Sequence, residues 1–89
     1  MKVLIVDDTP GNLRLLRAVL EGEKIDVVEA ADGLQGLAVL EKEPVDAVIS
    51  DILMPNMDGY RFCREVRSND RLSRLPFLIY SSTYNSPAD

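Results

Sequence analysis

Four short apolar runs alternate along this chain of 89 residues with segments whose apolar residues recur at helical spacing. The runs are too short for helices and rich in β-branched residues, so we expect buried strands. Such alternation produces a parallel sheet with right-handed connections and helices on both faces. The sequence therefore predicts one open, doubly wound α/β domain in the order strand, helix, strand, helix, strand, helix, strand. The predicted strands are 3–6, 25–30, 47–51 and 77–80.

Two of the predicted strands end in acidic residues. The first leads directly into Asp7 and Asp8, and the third ends near Asp51, because Pro55 stops its apolar run. If these strands are parallel neighbours, three carboxylates meet at the edge where open α/β sheets bind ligands. Oxygen ligands of this kind suit Mg²⁺. Each acid alone could equally satisfy loop amides at a strand end, so the hypothesis depends on all three together.

Several kinds of site are excluded by the composition. There is no histidine, and Cys63 is the one cysteine, which excludes histidine-dependent nucleophiles, cysteine or histidine zinc sites and an internal disulfide. We expect Cys63 to pack in a helix. The net charge of −5 argues against direct binding to nucleic acid or to anionic membranes. No apolar stretch approaches the ~20 residues of a membrane span and no signal peptide is visible, so we expect a cytoplasmic location.

Local signals set the expected helix ends and the position of one strand. Thr9 and Pro10 are expected to begin the first helix, and Gly22 to end it. The second helix must end before Pro44, and Asp58 is placed to cap the third. Acidic residues within the second strand favour a position near the edge of the sheet.

Together, these motifs closely resemble the receiver domain of two-component response regulators. The resemblance rests on the acidic pair after the first strand, on the run DILMPNMDG from Asp51 to Gly59, and on a hydroxyl after the fourth strand. It covers all 89 residues in order. One acidic pair would be weak evidence, but its combination with the Asp51–Gly59 run is highly specific.

The resemblance implies a flavodoxin-like fold and a phosphoacceptor module of a two-component phosphorelay. Asp51 would accept a phosphoryl group from a histidine of a partner histidine kinase or phosphotransfer protein. Mg²⁺ would be held by Asp7, Asp8 and Asp51, together with the backbone carbonyl of Leu53. The absence of histidine from this chain fits, because the donor histidine must belong to another protein.

The resemblance also implies a switch hydroxyl that contacts the new phosphoryl group. Counting from Pro76, this role falls on Ser81, with Ser82 and Thr83 as alternatives after a shift of register. A simpler interpretation is that these hydroxyls cap a loop or the start of a helix.

The sequence also departs from the family pattern. Receivers continue through a fourth helix, a fifth strand that ends in a lysine, and a fifth helix, whereas no lysine follows Lys42 here. We therefore expect residues 1–89 to be a partial receiver domain that lacks its last helix, strand and helix. The fourth strand, 77–80, would then present an open apolar edge that favours self-association.

Two other functions remain open. The fold could serve as an interaction or self-association module in which phosphorylation is impaired. It could also be a Mg²⁺-dependent phosphohydrolase, although such enzymes usually place an acid two residues after the nucleophile, where this chain has Leu53. The leading interpretation is a signalling domain that is not a turnover enzyme.

Overall fold

Strands and helices alternate throughout residues 1–81, the part of the chain that the computed structural model describes. The elements are β1 (Lys2–Val6), α1 (Pro10–Gly22), β2 (Asp26–Ala30), α2 (Gly33–Lys42), β3 (Ala47–Asp51), α3 (Gly59–Arg67) and β4 (Phe77–Tyr80). All four strands of this part are parallel and pair in the order β2, β1, β3, β4. The predicted α/β sheet is confirmed, and β2 lies at its edge as expected.

After β2 the chain changes its direction across the sheet, and this change determines which face of the sheet each helix covers. The chain passes from β1 to β2 on one side, then returns across β1 to β3 and continues outward to β4. Right-handed connections therefore put α1 on one face of the sheet and both α2 and α3 on the other. They also make β1 and β3 neighbours, so the carboxyl ends of these two strands lie side by side.

The main core lies between the sheet and the α2–α3 face. Side chains alternate along β1, so Leu4 and Val6 point into this core. Leu40 of α2 and both Phe62 and Val66 of α3 complete its centre, and all five side chains are at most 1% exposed. Their burial fixes the strands from which the acidic residues project.

Phe62 shows how closely α2 and α3 approach each other. Its ring meets that of Phe77 edge to face, with ring centroids 5.1 Å apart. A Cβ atom at Gly36 of α2 would lie 2.6 Å from Cζ of Phe62, which is closer than atoms can pack. The glycine therefore permits the two helices to share one layer.

The predicted end of α2 and the predicted cap of α3 are both found. Asp58 accepts a hydrogen bond from the Arg61 N–H at 2.8 Å, and α2 ends before Pro44. Thr9 occupies the N-cap position of α1, but its side chain makes no capping hydrogen bond. The Thr9 carbonyl instead accepts from the N–H groups of the first turn.

Helix α1 ends at Gly22, as predicted. Gly22 is the last helical residue and does not take the left-handed conformation that often ends a helix. Lys24 takes that conformation instead, with φ of 63°. Its N–H donates to the Glu21 carbonyl at 2.9 Å, so the turn is closed by backbone bonds without a glycine.

Helix α1 is the least buried of the helices in residues 1–81. It has no fully buried residue, and Leu15 and Val19 are 66% and 59% exposed. Arg17 fastens it to β2 by donating to Glu29 at 2.6 Å, and it also donates to Glu21 at 2.9 Å. Within the same residues, no helix is both long and apolar enough to cross a bilayer.

Candidate functional site

Three acidic residues meet at the carboxyl edge of the sheet. Asp7 and Asp8 directly follow β1, and Asp51 is the last residue of β3. One carboxylate oxygen from each lies within 4.8 Å of the other two. Asp7 and Asp51 are buried, at 0% and 2% exposure, whereas Asp8 is exposed. The sequence predicted this convergence from strand ends alone, and the pairing of β1 with β3 produces it.

The carboxylate of Asp7 accepts three hydrogen bonds. Its Oδ1 accepts from the Thr9 N–H at 2.8 Å, which closes the turn into α1. Its Oδ2 accepts from the side-chain amide of Asn12 at 3.1 Å and from the hydroxyl of Tyr80. Donors from α1 and from β4 therefore fix the orientation of a buried carboxylate.

The backbone around Asp51 is held against the start of α3. Asp51 Oδ1 accepts from the Ile52 N–H at 2.8 Å, and the Ile52 carbonyl accepts from the Gly59 N–H at 2.7 Å. A Cβ atom at Gly59 would lie 2.2 Å from the Asp51 carbonyl oxygen. Only glycine permits this approach, which gives the Asp58–Gly59 pair a structural reason beyond capping.

Tyr80 is a site residue that the sequence did not predict. It was expected to belong to an open apolar edge, but it stands opposite Asp51 in the parallel register and its hydroxyl reaches Asp7. Burial, followed by the hydrogen bond to Asp7 and the charges of the nearby acids, raises the pKa of Tyr80 above its ordinary value. The phenol therefore stays protonated and acts as a donor. The signal for this role in the sequence is a tyrosine at the last position of an otherwise apolar strand.

A third buried carboxylate, that of Asp32, links two loops beside the site. Asp32 caps α2 by accepting from the Gln35 N–H at 2.9 Å, and its other oxygen accepts from the Asn56 side-chain amide at 2.8 Å. These two hydrogen bonds lower the pKa of Asp32. Asn56 has φ of 69°, a left-handed conformation that asparagine tolerates. The loop after Asp51 is therefore tied to the amino end of α2.

The remaining predicted residues lie on the loops that border the acids. Leu53 is the second residue after β3, and its side chain is 58% exposed. Ser81 directly follows β4 and is exposed. The alternatives Ser82 and Thr83 lie outside the described residues. Both described positions are at the carboxyl edge of the sheet, where the acids also lie.

The donor set of the three acids suits a hard divalent cation. Three negative charges within a few ångströms repel one another, and a cation between them relieves that repulsion. Carboxylate oxygens are the ligands that Mg²⁺ accepts while it retains several waters, and the exposed side of Asp8 gives water access. Asp7, Asp8 and Asp51 therefore fit Mg²⁺.

Comparison with known proteins identifies one family. The sequence profile of the response regulator receiver domain matches residues 3–88. The response regulator PleD of Caulobacter vibrioides is 33% identical over 81 residues, which are 91% of this chain and 18% of PleD. This chain thus spans less than a fifth of the length of that relative.

Solved structures agree with this assignment. The chemotaxis response regulator CheY4 of Vibrio cholerae superposes with a TM-score of 0.87 at 36% identity, over 98% of this chain and 72% of CheY4. The receiver domain of the sensor histidine kinase PA1611 from Pseudomonas aeruginosa superposes with a TM-score of 0.83 at 32% identity, over 88% of this chain and 64% of that one. The latter structure has a magnesium ion coordinated in its active-site cleft.

Proposed function

We propose that this chain, which belongs to the response regulator receiver domain family, is a phosphoacceptor. Receiver domains are signalling domains of two-component systems and are generally not turnover enzymes. The observation that carries the proposal is the meeting of Asp7, Asp8 and Asp51 at the junction of β1 and β3. This geometry supports a role for one carboxylate as nucleophile beside a bound cation.

In this proposal Asp51 is the nucleophile. One of its carboxylate oxygens forms a bond to phosphorus while the P–N bond to the donor histidine breaks, and the imidazole leaves with the bonding electron pair. The hydrogen bond from the Ile52 N–H and the close packing of Gly59 behind the Asp51 carbonyl hold the acceptor in place. A fixed nucleophile lowers the entropic part of the barrier.

Asp7, Asp8 and Asp51 would hold Mg²⁺, together with the backbone carbonyl of Leu53. Bound there, the ion would offset the negative charge on the phosphoryl oxygens and on the accepting carboxylate. Asp7 contributes a carboxylate already oriented by protein donors, and exposed Asp8 faces solvent. The coordinated magnesium in the PA1611 receiver domain supports this part of the proposal.

Ser81 would be the switch hydroxyl. It follows β4 directly, and Tyr80 before it stands in register with Asp51. A phosphoryl group on Asp51 adds about −1.5 to −2 charges and three strong acceptor oxygens, which a serine hydroxyl can contact. Such a contact would pull the loop after β4 towards β3 and would convert phosphorylation into a change of surface.

The partner in this proposal is a histidine kinase or a histidine phosphotransfer protein, which supplies the phosphoryl group. In the same proposal, residues 1–89 act as one receiver domain in the cytoplasm. Several relatives with matching segments are sensor histidine kinases, such as CheAY of Helicobacter pylori, which is 40% identical over 83 residues. Those residues are 10% of CheAY, so the proposal does not include the activity of the longer protein.

The test is the intact mass of the protein after incubation with acetyl phosphate and Mg²⁺. We expect the unmutated chain to gain one phosphoryl group, and we expect Asp51→Asn, which keeps the shape of the side chain, to gain none. A chelator added before the phosphodonor should prevent the gain.

A matched control is Asp58→Asn, which changes another acid of the same loop that caps α3 and lies outside the acidic cluster. It should still be phosphorylated. Equal phosphorylation of Asp51→Asn and of the unmutated chain would contradict the proposal, and so would a complete lack of phosphorylation in a folded, Mg²⁺-bound protein.

A further inference from the structure

The phenol of Tyr80 occupies a position that bears directly on the proposed cation site. Its hydroxyl donates to Asp7 Oδ2, although Tyr80 belongs to β4 and Asp7 follows β1, with β3 between them. The parallel register that sets Tyr80 opposite Asp51 fixes the stem of this side chain at the acidic edge. The ring is half-buried, so the hydroxyl is held there by packing as well as by the hydrogen bond.

The hydrogen bonds of Asp7 determine what it can offer to a cation. A carboxylate has about four acceptor positions, two on each oxygen. On Oδ2, the Asn12 amide and the Tyr80 hydroxyl occupy both. On Oδ1, the Thr9 N–H occupies one. Asp7 therefore retains a single acceptor position, and it can bind a metal through one oxygen only.

This restriction has different consequences for two common hard cations. Mg²⁺ requires a near-ideal octahedron, keeps several waters, and is satisfied by one oxygen from each carboxylate. Ca²⁺ takes six to eight oxygens and gains from carboxylates that bind through both of theirs. A donor that occupies Asp7 Oδ2 thus costs Ca²⁺ a ligand that Mg²⁺ does not need.

We propose that Tyr80 is a specificity-determining residue of the metal site, which confines Asp7 to one-oxygen coordination and thereby favours Mg²⁺ over Ca²⁺. This inference rests on the proposed function, because it takes the acidic cluster as the cation site. Tyr80 acts through Asp7, as groups that orient metal ligands do, and it is therefore a positioning residue. Asn12 assists by occupying the second position of the same oxygen.

The experiment is a calorimetric titration of Mg²⁺ and, separately, of Ca²⁺ into the unmutated protein and into Tyr80→Phe. Removing the hydroxyl should strengthen Ca²⁺ binding and change Mg²⁺ binding less, so the ratio of the two affinities should shift towards Ca²⁺ by roughly tenfold. Asn12→Ala, which opens the other position on Oδ2, should shift the ratio in the same direction. A matched control is Tyr60→Phe, which removes a hydroxyl from an exposed tyrosine of α3 and should leave the ratio unchanged.

The outcomes separate this inference from the proposed function. If the unmutated protein binds Mg²⁺ and the affinity ratio of Tyr80→Phe equals that of Tyr60→Phe, the role of Tyr80 is overturned and the phosphoacceptor site stands. An equal loss of affinity for Mg²⁺ and Ca²⁺ in a folded Tyr80→Phe variant also overturns it, because Tyr80 would then stabilise the site without distinguishing the two cations. If the unmutated protein binds no Mg²⁺, the metal part of the proposed function fails, and this inference fails with it.

Discussion

The side-chain amide of Asn56 donates to Asp32 Oδ2 at 2.8 Å across 24 positions of the chain. This bond joins the loop that follows Asp51 to the residue that caps α2. Asp32 is buried, at 6% exposure, and both of its oxygens accept hydrogen bonds. The loop beside the acidic site is therefore tied to the helix layer by a carboxylate that must stay ionised.

Asp32 should make the free energy of unfolding depend on pH in the acidic range. Hydrogen bonds from the Gln35 N–H and then from Asn56 lower the pKa of Asp32 in the folded protein. Its contribution is therefore fully present above the ordinary carboxyl pKa of about 4 and is lost as the pH falls through the lower folded value. Asp32→Asn replaces one of the two accepting oxygens by an amide nitrogen that faces a donor, so it should lower the free energy of unfolding by about 1 kcal/mol at pH 6 and flatten its decline below pH 4. Urea unfolding at several pH values measures both effects.

The control for Asp32 is Asp26→Asn, which makes the same chemical change at an exposed position of the edge strand. It should leave both the stability at pH 6 and the acid-induced decline close to those of the unmutated protein. An Asp32→Asn variant that loses stability in acid as steeply as the unmutated protein would refute the assignment.

Gly59→Ala should damage both the fold and the site. The added Cβ would lie 2.2 Å from the Asp51 carbonyl oxygen, so β3 and α3 must separate. Because the added atom would meet backbone, the free energy of unfolding should fall by at least about 1–3 kcal/mol, the cost of a typical overpacked core. Phosphorylation of Asp51 should slow as well, because the acceptor moves. Chemical unfolding and the rate of phosphoryl gain by mass spectrometry measure the two effects.

Gly22→Ala provides the matched comparison for Gly59. The same methyl group at the end of α1 meets nothing within 4 Å, and Gly22 has an ordinary negative φ. It should stabilise the chain by about 0.5 kcal/mol through the unfolded state. Equal effects at the two glycines would show that the contact between β3 and α3 is not tight.

Asp8→Asn should separate the effect of charge repulsion from the effect of metal binding. Without a divalent cation, removing one of three clustered negative charges should raise the melting temperature. With Mg²⁺ at 100 times its dissociation constant, the unmutated protein should gain about 2.7 kcal/mol, and the variant should gain much less. Thermal unfolding with and without Mg²⁺ tests both statements. Asp70→Asn, at an exposed position after α3, should change neither.

Self-association through β4 remains a prediction. Within residues 1–81 this strand pairs with β3 on one side only, and Leu78 is 60% exposed. Leu78→Lys places a charge on the strand, which opposes pairing with a second chain. We expect sedimentation velocity to show concentration-dependent association that this substitution reduces. Leu15→Lys changes an equally exposed leucine of α1 and should not reduce it, and a monomer at all concentrations would exclude the association.

The fold was predictable because its signals are local. Apolar runs, prolines and the Asp58 cap determine where strands and helices begin and end, and alternation of the two then determines a parallel sheet. The meeting of the acids followed from strand ends, since β1 and β3 became neighbours. The end of α1 at Gly22 was predictable too, but the left-handed conformation of Lys24 beyond it was not, because glycine usually takes that conformation.

The polar contacts around the site were not predictable, because they join residues that are distant in the chain. Tyr80 and Asp7 are 73 positions apart, and their hydrogen bond depends on the register of β3 with β4. The Asn56–Asp32 bond likewise depends on how α2 and α3 pack. Burial of a polar side chain requires a partner, but sequence pattern does not say which one.

Asp8 is exposed while Asp7 and Asp51 beside it are buried, so the acidic cluster faces solvent through Asp8. An ion held there can exchange with bulk water while the sheet and helices stay intact. Loading and chelation of such an ion should then be faster than unfolding, because no strand or helix has to open. Under the proposed function, the domain would therefore respond to the supply of cation and phosphodonor without delay from its own folding.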